Sequence, residues 1–401
     1  MKILMVIPAL GNVYGGSTKV VLDLAESVGK LGVSVDIVAT NANGSTILDV
    51  PLNKWITENN YRVQYFPYLN FLDYKFTWLM TKWLFKNVSD YDIVHTNAIF
   101  SYPILAAHLA CQFRIVPYIA TPHGMMEPWA LAYKGWKKKI YFTLFENRSL
   151  QKANAIQMIA STEARHINTL NLKTPLVFVP NGINSTNFES LPSAELFYEQ
   201  FPNTRNKTLI IFLGRIDPKK GLDLLAPAFA KAHEKFPETH LIVAGPDNTG
   251  FLPTAESYFS EAGCKDAVTF TGMLTGTIKY AALVAAKIYV APSYSEGFSM
   301  SVLEGMAAGL PCVITNGCNF PEAAEAKAAS VVDINADQIG NALIGLLQDP
   351  IQAKNMGDCA RQFILENYTW DSIASKLISV YQDIITKTHE NPVSLDRGVS
   401  R

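Results

Sequence analysis

The chain has 401 residues, of which 49% are hydrophobic and 17% are charged, and this composition is typical of a compact protein with large cores. It excludes a disordered chain or a coiled coil, and the length favours two domains or more. Lysine and arginine number 34 against 35 acidic residues, so the net charge of -1 offers no general attraction to nucleic acid.

The five cysteines are scattered and form no C-x-x-C pair, which indicates buried thiols in a reducing compartment rather than a zinc site. The N-terminal residues 3–7 form a short apolar run closed by Pro8, without a cleavage site, and this is typical of a first β-strand rather than a signal peptide. No stretch reaches the ~18 apolar residues of a spanning helix. We therefore expect a cytoplasmic protein.

Strands and helices alternate along the first half of the chain. Residues 3–7 are predicted to form a buried strand, 17–30 an amphipathic helix and 33–39 a second strand, which together make a βαβ unit. The alternation continues with a helix at 103–111 and strands at 93–95, 116–120, 155–159 and 176–179. This order predicts a mostly parallel sheet covered by helices.

A polar segment at 192–207 interrupts this pattern, and a second series begins at residue 209. Its predicted elements are helices at 222–236 and 299–308 and strands at 209–213, 241–244, 268–271, 288–291 and 312–315. We therefore predict an α/β protein with two doubly wound Rossmann-like domains, 1–195 and 196–370, a helix at 371–388 and a frayed tail at 389–401. Ligands of such sheets bind beyond the carboxyl ends of the strands, so we expect a shared cleft.

The first strand is followed by a glycine-rich loop at residues 11–18. It resembles a P-loop, but Ser17 stands where that motif has its lysine, so the charge that holds terminal phosphates is missing. Gly15 and Gly16 precede a helix and can still present free N–H groups to an anion. The alternative is a plain strand-to-helix turn in which the glycines allow close packing.

The corresponding loop of the second domain, residues 214–221, carries Arg215, Lys219 and Lys220 ahead of a helix. A guanidinium can bind two phosphate oxygens at once and an ammonium adds a mobile charge, so this loop suits a diphosphate. Charge-assisted contacts of this kind contribute about 1.5 to 3 kcal/mol each. A solvated basic turn is the alternative interpretation.

Two carboxylates, Glu296 and Glu304, lie around the predicted start of a helix that follows a buried strand. Glu296 belongs to the loop at the end of the strand, and Glu304 belongs to the early turns of the helix. Between them, the backbone N–H groups lie at the positive end of the helix dipole, where an anion can bind. The residues that supply these groups are Gly297, Ser299 and Met300. In the alternative interpretation, Glu304 forms a capping box with Ser301 and only completes the helix start.

Four motifs, in this order along the chain, resemble the retaining glycosyltransferases of family 4, which have the two-domain GT-B fold. They are Gly15-Gly16, the Val-Pro-Asn-Gly-Ile segment 179–183, the Arg215 to Lys220 loop and the pair Glu296-x7-Glu304. The resemblance covers residues 2–381. It implies that the second domain binds a nucleotide sugar and that the final helix crosses back to the first domain.

The resemblance also implies roles for individual residues. Arg215 and Lys220 would hold the donor diphosphate, Glu304 would bind the ribose hydroxyls, and Glu296 would contact hydroxyls of the transferred sugar. The base would lie against residues 270–274. The other donor contacts that the resemblance implies are at Gly15, Gly16, Met273, Leu274, Gly297, Phe298, Ser299 and Met300.

His123 follows a buried strand where family members place a histidine near the donor sugar or the acceptor, so a catalytic role is predicted for it. An ordinary histidine at a strand end is the alternative. His95 is interpreted as structural. Asp90 and Asp92 match the D-x-D signature of metal-dependent transferases, but they lead directly into a buried strand, and no other cluster has metal-ligand spacing. We expect neither a metal nor a cofactor.

The expected reaction begins with dissociation of the sugar–phosphate bond. Arg215, Lys220 and the helix start near Ser299 would stabilise the leaving diphosphate without a metal. The acceptor hydroxyl would attack from the same face and retain the anomeric configuration, as the resemblance implies. A double displacement would need a carboxylate beside the anomeric carbon, and we do not expect Glu296 to reach it.

Two segments of the first domain combine aromatic and basic residues. They are 65–86, which includes Lys75, Lys82 and Lys86, and 134–139, which includes four lysines. Such clusters can rest on an anionic membrane and receive a lipid-linked acceptor. The alternative is packing within the domain beneath a solvated lysine face.

The sequence therefore predicts a metal-independent retaining hexosyltransferase that uses a nucleotide sugar, expected to be UDP-linked, to extend a cell-surface glycan or glycolipid. Its partners would be this donor and a glycan or lipid-linked acceptor, with peripheral contact to the inner membrane face and none with nucleic acid. The alternatives are a nucleotide-sugar epimerase of the same fold, a P-loop kinase or ATPase using residues 11–18, and a binding protein with a degenerate transferase fold.

Overall fold

The computed structural model describes residues 1–14, 16–71, 74–132 and 135–390. It has two compact units: Met1–Asn181 together with the C-terminal helix from Trp370, and Gly182–Thr369. The sequence predicts the change of domain at residues 195–196, whereas in the structure the second unit begins at Gly182. The reason is local: the Ile183 N–H donates to the Tyr368 carbonyl at 2.8 Å, which ties the segment after Asn181 to the second unit.

The first unit is built on a mostly parallel sheet. Its described strands are β1 (Lys2–Ala9), β2 (Ser34–Thr40), β3 (Ala42–Asn43), β4 (Thr46–Ile47), β5 (Trp55–Thr57), β6 (Arg62–Phe66), β7 (Leu69–Phe71), β8 (Tyr74–Phe76), β9 (Ile93–Asn97), β10 (Tyr118–Thr121), β11 (Ala155–Met158) and β12 (Leu176–Phe178). The sheet has the order β12-β11-β10-β9-β1-β2-β6-β5, in which only β5 is antiparallel to its neighbour among these strands. The pairs β3–β4 and β7–β8 form small separate hairpins.

Helices connect these strands because the intervening segments have apolar residues at helical spacing. In the first helix, Val20, Val21, Leu24 and Val28 are buried, so one face packs on the core while the other faces solvent. A π-helical turn, Phe142–Glu146, joins the fifth helix to the sixth. The described helices of this unit before its C-terminal one are α1 (Gly16–Lys30), α2 (Trp78–Asn87), α3 (Tyr102–Arg114), α4 (Pro128–Ala132), α5 (Gly135–Tyr141), α6 (Asn147–Gln151) and α7 (Glu163–Thr169).

The second unit contains a fully parallel sheet. Its described strands are β13 (Thr208–Leu213), β14 (Thr239–Ala244), β15 (Val268–Gly272), β16 (Ile288–Ala291), β17 (Cys312–Thr315) and β18 (Ala329–Val332). Their order is β15-β14-β13-β16-β17-β18, so the chain builds outward from β13 and then returns to build outward from β16 on the other side. Ligands of doubly wound sheets bind beyond the carboxyl ends of the strands at such a reversal point.

The helices of the second unit pack on a core that includes Phe212, Phe229 and Phe259. Described from the start of this unit, they are α8 (Thr186–Glu189), α9 (Glu195–Gln200), α10 (Leu222–Lys235), α11 (Leu252–Glu261), α12 (Gly276–Ala285), α13 (Met300–Ala307), α14 (Glu322–Glu325), α15 (Ala336–Gln348) and α16 (Pro350–Asn367). The two doubly wound Rossmann-like units confirm the predicted fold class.

The last helix, α17 (Trp370–Glu390), packs on the first unit. The Trp370 Nε1–H donates to Asp23 at 3.2 Å, and the Tyr381 hydroxyl lies 2.6 Å from Nδ1 of the fully buried His95. The helix extends past residue 388, where the sequence analysis ends it, and residues 391–401 of the predicted tail lie outside the described residues. Within the described chain, we find no helix whose length and hydrophobicity would let it cross a bilayer.

Candidate active site

The loops after β13 and β16 meet at the reversal point of the second sheet. The Tyr294 N–H donates to the Lys219 carbonyl at 2.8 Å. Gly221 has a φ of 73°, and a Cβ there would lie 2.0 Å from the Pro292 carbonyl oxygen. Only glycine combines this left-handed conformation with so close an approach of two backbones. The contact brings the predicted diphosphate loop next to the segment that carries Glu296.

Lys220 and Glu296 form a buried ion pair between these two loops. Lys220 Nζ bonds Glu296 Oε1, and their side chains are 11% and 9% exposed. Ser293 Oγ donates to the same oxygen at 2.8 Å. Burial alone would raise the pKa of Glu296, but the ammonium groups of Lys220 and Lys219 and these hydrogen bonds bring its pKa below the ordinary value. The carboxylate is therefore ionised at neutral pH.

The backbone of Glu296 is held as firmly as its side chain. Its N–H donates to the Gly317 carbonyl at 2.8 Å, and its carbonyl accepts from Asn319 Nδ2 at 2.5 Å. A Cβ at Gly317 would lie 2.3 Å from the Ser293 carbonyl oxygen. Gly317 and Asn319 are not predicted from the sequence, because nothing in the local pattern after β17 distinguishes them from ordinary turn residues.

Positive charge accumulates at this loop. Burial lowers the pKa of the Lys219 ammonium; the Glu296 carboxylate opposes this effect, and the charges of Lys220 and Arg215 add to it. The Arg215 side chain is exposed, and among the described residues no carboxylate forms an ion pair with it. Its five N–H donors are thus available to an anion.

The helix α13 begins one residue later than predicted, with Ser299 in extended conformation as its N-cap and no side-chain hydrogen bond from that residue to the helix. The N–H groups of a first helical turn have no partner within the helix, so this turn presents donors and the positive end of a dipole. Phe298 is buried and stacks on Tyr368 at 5.8 Å between ring centroids, which fixes the entry to the helix. Gly297 and Met300 are partly exposed on either side.

Glu304 does not form the capping box that is the alternative interpretation of this segment. Ser301 lies inside the helix, where its hydroxyl is 3.2 Å from Ser299 Oγ. Glu304 Oε1 instead accepts from Lys279 Nζ of α12 at 2.7 Å, and the two side chains are 15% and 18% exposed. Lys279 is not predicted from the sequence, because it lies 25 residues from Glu304 on another helix.

Met273 and Leu274, the predicted contacts of the base, follow β15 at the same carboxyl edge of this sheet. Met273 is exposed and Leu274 is partly buried. Because β15 lies two strands from β13 in the sheet, these residues lie toward one side of the loop that carries Arg215.

The remaining predicted residues belong to the first unit. His123 lies just after β10 with a φ of 51°, a strained conformation for a non-glycine residue. Its Nε2 is 3.0 Å from Asn97 Oδ1, and loss of hydration lowers its pKa to about 4. His95, between Tyr381 and Thr121, has the buried position expected of a structural residue. Gly16 begins α1, and Gly15 lies outside the described residues.

The two halves of the chain each match a family model. Residues 14–187 match Glycosyltransferase Family 4, and residues 195–363 match Glycosyl transferases group 1. A phosphatidyl-myo-inositol mannosyltransferase of Mycolicibacterium smegmatis is 25% identical over 401 residues, which cover 96% of this chain and 94% of that protein. A GDP-mannose-dependent alpha-(1-6)-phosphatidylinositol monomannoside mannosyltransferase of Mycobacterium tuberculosis is 27% identical over 225 residues, 54% of this chain and 58% of that relative's length.

Solved structures resemble the whole chain. Sucrose-phosphate synthase of Thermosynechococcus elongatus has a TM-score of 0.77 at 20% identity, covering 96% of this chain and all of that one. HepE of Anabaena, in complex with UDP and glucose, has a TM-score of 0.76 at 15% identity with the same coverage. At these identities the likeness shows the fold alone.

Proposed function

Because the chain belongs to glycosyltransferase family 4 and has the two Rossmann-like units of the GT-B fold, we propose that it transfers a hexose from a nucleoside diphosphate sugar to a lipid-linked or glycan acceptor, with retention and without a metal ion. The observation that carries this proposal is the buried ion pair of Lys220 and Glu296 at the reversal point of the second sheet, beside the exposed guanidinium of Arg215.

The leaving diphosphate would bind the cationic loop after β13. Arg215 supplies a forked donor, Lys219 and Lys220 supply charge, and the first turn of α13 supplies backbone N–H groups. Lys220 and the first turn of α13 are held in place before the reaction begins, so they would stabilise the negative charge that grows on the diphosphate without reorganising. Displacement of Lys220 from Glu296 is not required, because an ammonium has three donors and Glu296 occupies one of them.

Glu296 would bind hydroxyls of the transferred sugar rather than attack its anomeric carbon. Its low pKa makes it a weak base and a weak nucleophile, and Lys220 and Ser293 already bond one of its oxygens. A covalent glycosyl-enzyme intermediate needs a carboxylate free to reach the anomeric carbon. The proposed step is therefore departure of the diphosphate followed by attack of the acceptor hydroxyl from the same face.

A role in the transfer is also proposed for His123, which belongs to the first unit. Its low pKa keeps the imidazole neutral at pH 7, so it would act as a hydrogen-bond donor or acceptor to the sugar or the acceptor hydroxyl and not as a cation. This proposal predicts that its contribution to the transfer rate does not titrate between pH 5 and pH 9.

We propose GDP-mannose as the first donor to test, in place of the UDP-sugar expected from the sequence. Two curated relatives are by name mannosyltransferases, and one of these is by name GDP-mannose-dependent. A UDP-linked hexose is the second candidate, because HepE was solved with UDP and glucose. Met273 and Leu274 are the proposed contacts of the base in either case.

Donor turnover in the presence of EDTA tests this function. Purified protein is incubated with a lipid-linked or glycan acceptor and GDP-mannose, UDP-glucose or ADP-glucose, and release of the free nucleoside diphosphate and the anomeric configuration of the product are followed by NMR. We expect turnover of one nucleotide class, an α-configured product and no effect of EDTA. Epimerised donor without transfer, or turnover that requires added metal, would contradict the proposal.

An exposed apolar stripe supports a lipid-linked acceptor. Trp136, Ile140 and Leu144 recur every four residues along α5 and the π-helical turn, and they are 69%, 52% and 63% exposed. Lys137 and Lys139 flank them, and the one carboxylate of segment 135–151, Glu146, is buried. Apolar side chains rimmed by lysines fit the surface of an anionic bilayer. Lys134, in the basic cluster defined from the sequence, lies outside the described residues.

The second aromatic segment is adjacent to this stripe. Tyr74 of β8 stacks on Tyr141 of α5 with ring centroids 5.2 Å apart, and Leu69 of β7 is exposed. We propose that the hairpin β7–β8 and α5 together dock on the membrane that holds the acceptor.

Vesicle sedimentation tests the docking. The double variant W136E/L144E should lose binding to phosphatidylglycerol vesicles by tenfold or more while still transferring sugar to a soluble acceptor. I351E, at a similarly exposed apolar position of the second unit, is the matched control and should bind as the wild type does. Unchanged binding of W136E/L144E would contradict the docking proposal.

A further inference from the structure

We propose that Lys279 is a positioning residue for the nucleotide: it holds the Glu304 carboxylate in the orientation that accepts hydrogen bonds from the ribose hydroxyls. This inference rests on the proposed function and assigns a role to a residue outside the sequence motifs. The pair joins α12, which follows β15, to α13, which follows β16. These two strands are consecutive in the chain but are not neighbours in the sheet, so the ion pair fixes Glu304 relative to both of them.

The hydrogen bonding of the pair leaves acceptor capacity on Glu304. Lys279 Nζ bonds Oε1 at 2.7 Å, whereas an ionised carboxylate can accept about four hydrogen bonds on its two oxygens. A ribose has two neighbouring hydroxyls, which are donors at matching spacing. Lys279 therefore occupies part of the carboxylate without filling it, and the second oxygen of Glu304 remains able to accept hydrogen bonds.

Lys279 is itself anchored. Its ammonium lies 4.8 Å from the ring centroid of Tyr280, and the Tyr280 ring meets the buried ring of Phe188 edge-to-face at 5.4 Å. Arg361 Nη2 donates to the Phe188 carbonyl at 2.6 Å, which connects this support to α16. The pair of Lys354 with Asp358, by contrast, has side chains that are 75% and 64% exposed.

The test compares GDP with 2′,3′-dideoxy-GDP, and UDP with 2′,3′-dideoxy-UDP, by calorimetric titration of the full-length protein in EDTA. The ratio of the two affinities measures the ribose hydroxyl contacts alone. We expect a ratio of about tenfold or more in the wild type, which corresponds to ~1.4 kcal/mol, and a ratio near one in E304Q. K279M should reduce the ratio to threefold or less, and K279R should restore most of it.

Each other outcome overturns the inference. If Lys279 only held two helices together, K279M would lower the affinities of GDP and dideoxy-GDP equally and leave their ratio unchanged. If Lys279 competed with ribose for Glu304, K279M would bind GDP more tightly than the wild type. K279Q, which keeps a polar side chain at this partly exposed position, replaces K279M if that variant does not fold. Wild-type protein that binds both GDP and dideoxy-GDP equally overturns only this inference, whereas wild-type protein that binds no nucleoside diphosphate overturns the proposed function as well.

Discussion

Buried glutamates behave in opposite ways in the two units. Glu146 and Glu163 of the first unit and Glu296 of the second are all almost fully buried. Burial raises the pKa of Glu146 and of Glu163 to about 7, although backbone N–H groups of Phe100 and Ile159 oppose the rise. The pKa of Glu296 instead falls below its ordinary value, because two ammonium groups face it.

The difference shows that burial alone does not make a binding site. A carboxylate is driven toward its neutral form when burial outweighs the backbone N–H groups that bond it and no cation lies beside it. A carboxylate paired with cations stays charged, and the cations stay available to a second anion. In this molecule the paired carboxylate lies at the reversal point of a parallel sheet, where ligands of such folds bind.

The largest effect is expected when the Lys220 ammonium is removed from the buried pair. K220M leaves Glu296 buried and poorly compensated, so the free energy of unfolding should fall by about 3 kcal/mol. The transfer rate should fall about 100-fold or more, because a preorganised charge at the diphosphate is lost. Urea unfolding and steady-state kinetics measure the two effects.

K231M is the control for this variant. Lys231 pairs with Asp337 on the surface of the same unit, and exposed pairs of this kind contribute little. If K220M cost no more stability than K231M, the buried pair would not have the role assigned to it.

The contribution of Glu163 to stability should depend on pH in the opposite direction from that of Glu296. Glu163 has a native pKa of about 7 against an ordinary 4.5, so its ionisation destabilises the fold progressively as pH rises from 4.5 to 7 and by a constant amount above that. E163Q should therefore gain stability relative to the wild type across this window, by up to about 3 kcal/mol. Thermal unfolding at pH 5 and pH 8 measures the gain; a difference independent of pH would contradict the raised pKa.

Substitution of Arg215 should weaken nucleotide binding without changing the stability of the fold. Its side chain is exposed and has no carboxylate partner among the described residues, so R215A should leave the thermal midpoint unchanged. The same variant should bind GDP about tenfold more weakly, because one charge-assisted contact is worth roughly 1.5 to 3 kcal/mol. A matched variant, K265A, removes an exposed cation elsewhere in the unit and should change neither property. Equal affinity of R215A and wild type would remove Arg215 from the site.

The smallest expected effect concerns acid stability. Since the native pKa of Glu296 lies below its ordinary value of 4.5, its contribution is fully present above pH 4.5 and is lost as pH falls through the lower native value. The stability difference between wild type and E296Q should therefore shrink below pH 4.5 and stay constant above it. A difference that grew on acidification would have the wrong sign.

Much of the fold was predictable because its strands are continuous apolar runs. The predicted strands at 288–291 and 312–315 have the observed bounds of β16 and β17, since both lie in the interior of the sheet and are fully buried. The hairpins β3–β4 and β7–β8 were not predicted, because strands of two or three residues have too little alternation to be recognised.

The parts of the candidate site that lie within a single loop or segment could be predicted from the sequence. The loop that carries Lys220 and the segment that carries Glu296 each have a pattern of their own, and the structure brings them together. Lys279 has no such sequence pattern, because its partner Glu304 lies on another helix. The Ser301-to-Glu304 pattern also fitted a capping box, but the helix begins at Met300, so Ser301 lies inside it and Glu304 pairs with Lys279 instead. An ion pair between two helices leaves no pattern in a short stretch of sequence.

A crystal structure of the protein with GDP in the presence of EDTA tests the central claim most directly. The diphosphate should lie against Arg215 and Lys220 at the start of α13, with the ribose hydroxyls bonded to a Glu304 that still contacts Lys279. A diphosphate bound away from this loop, or a ribose that leaves Glu304 untouched, would contradict it.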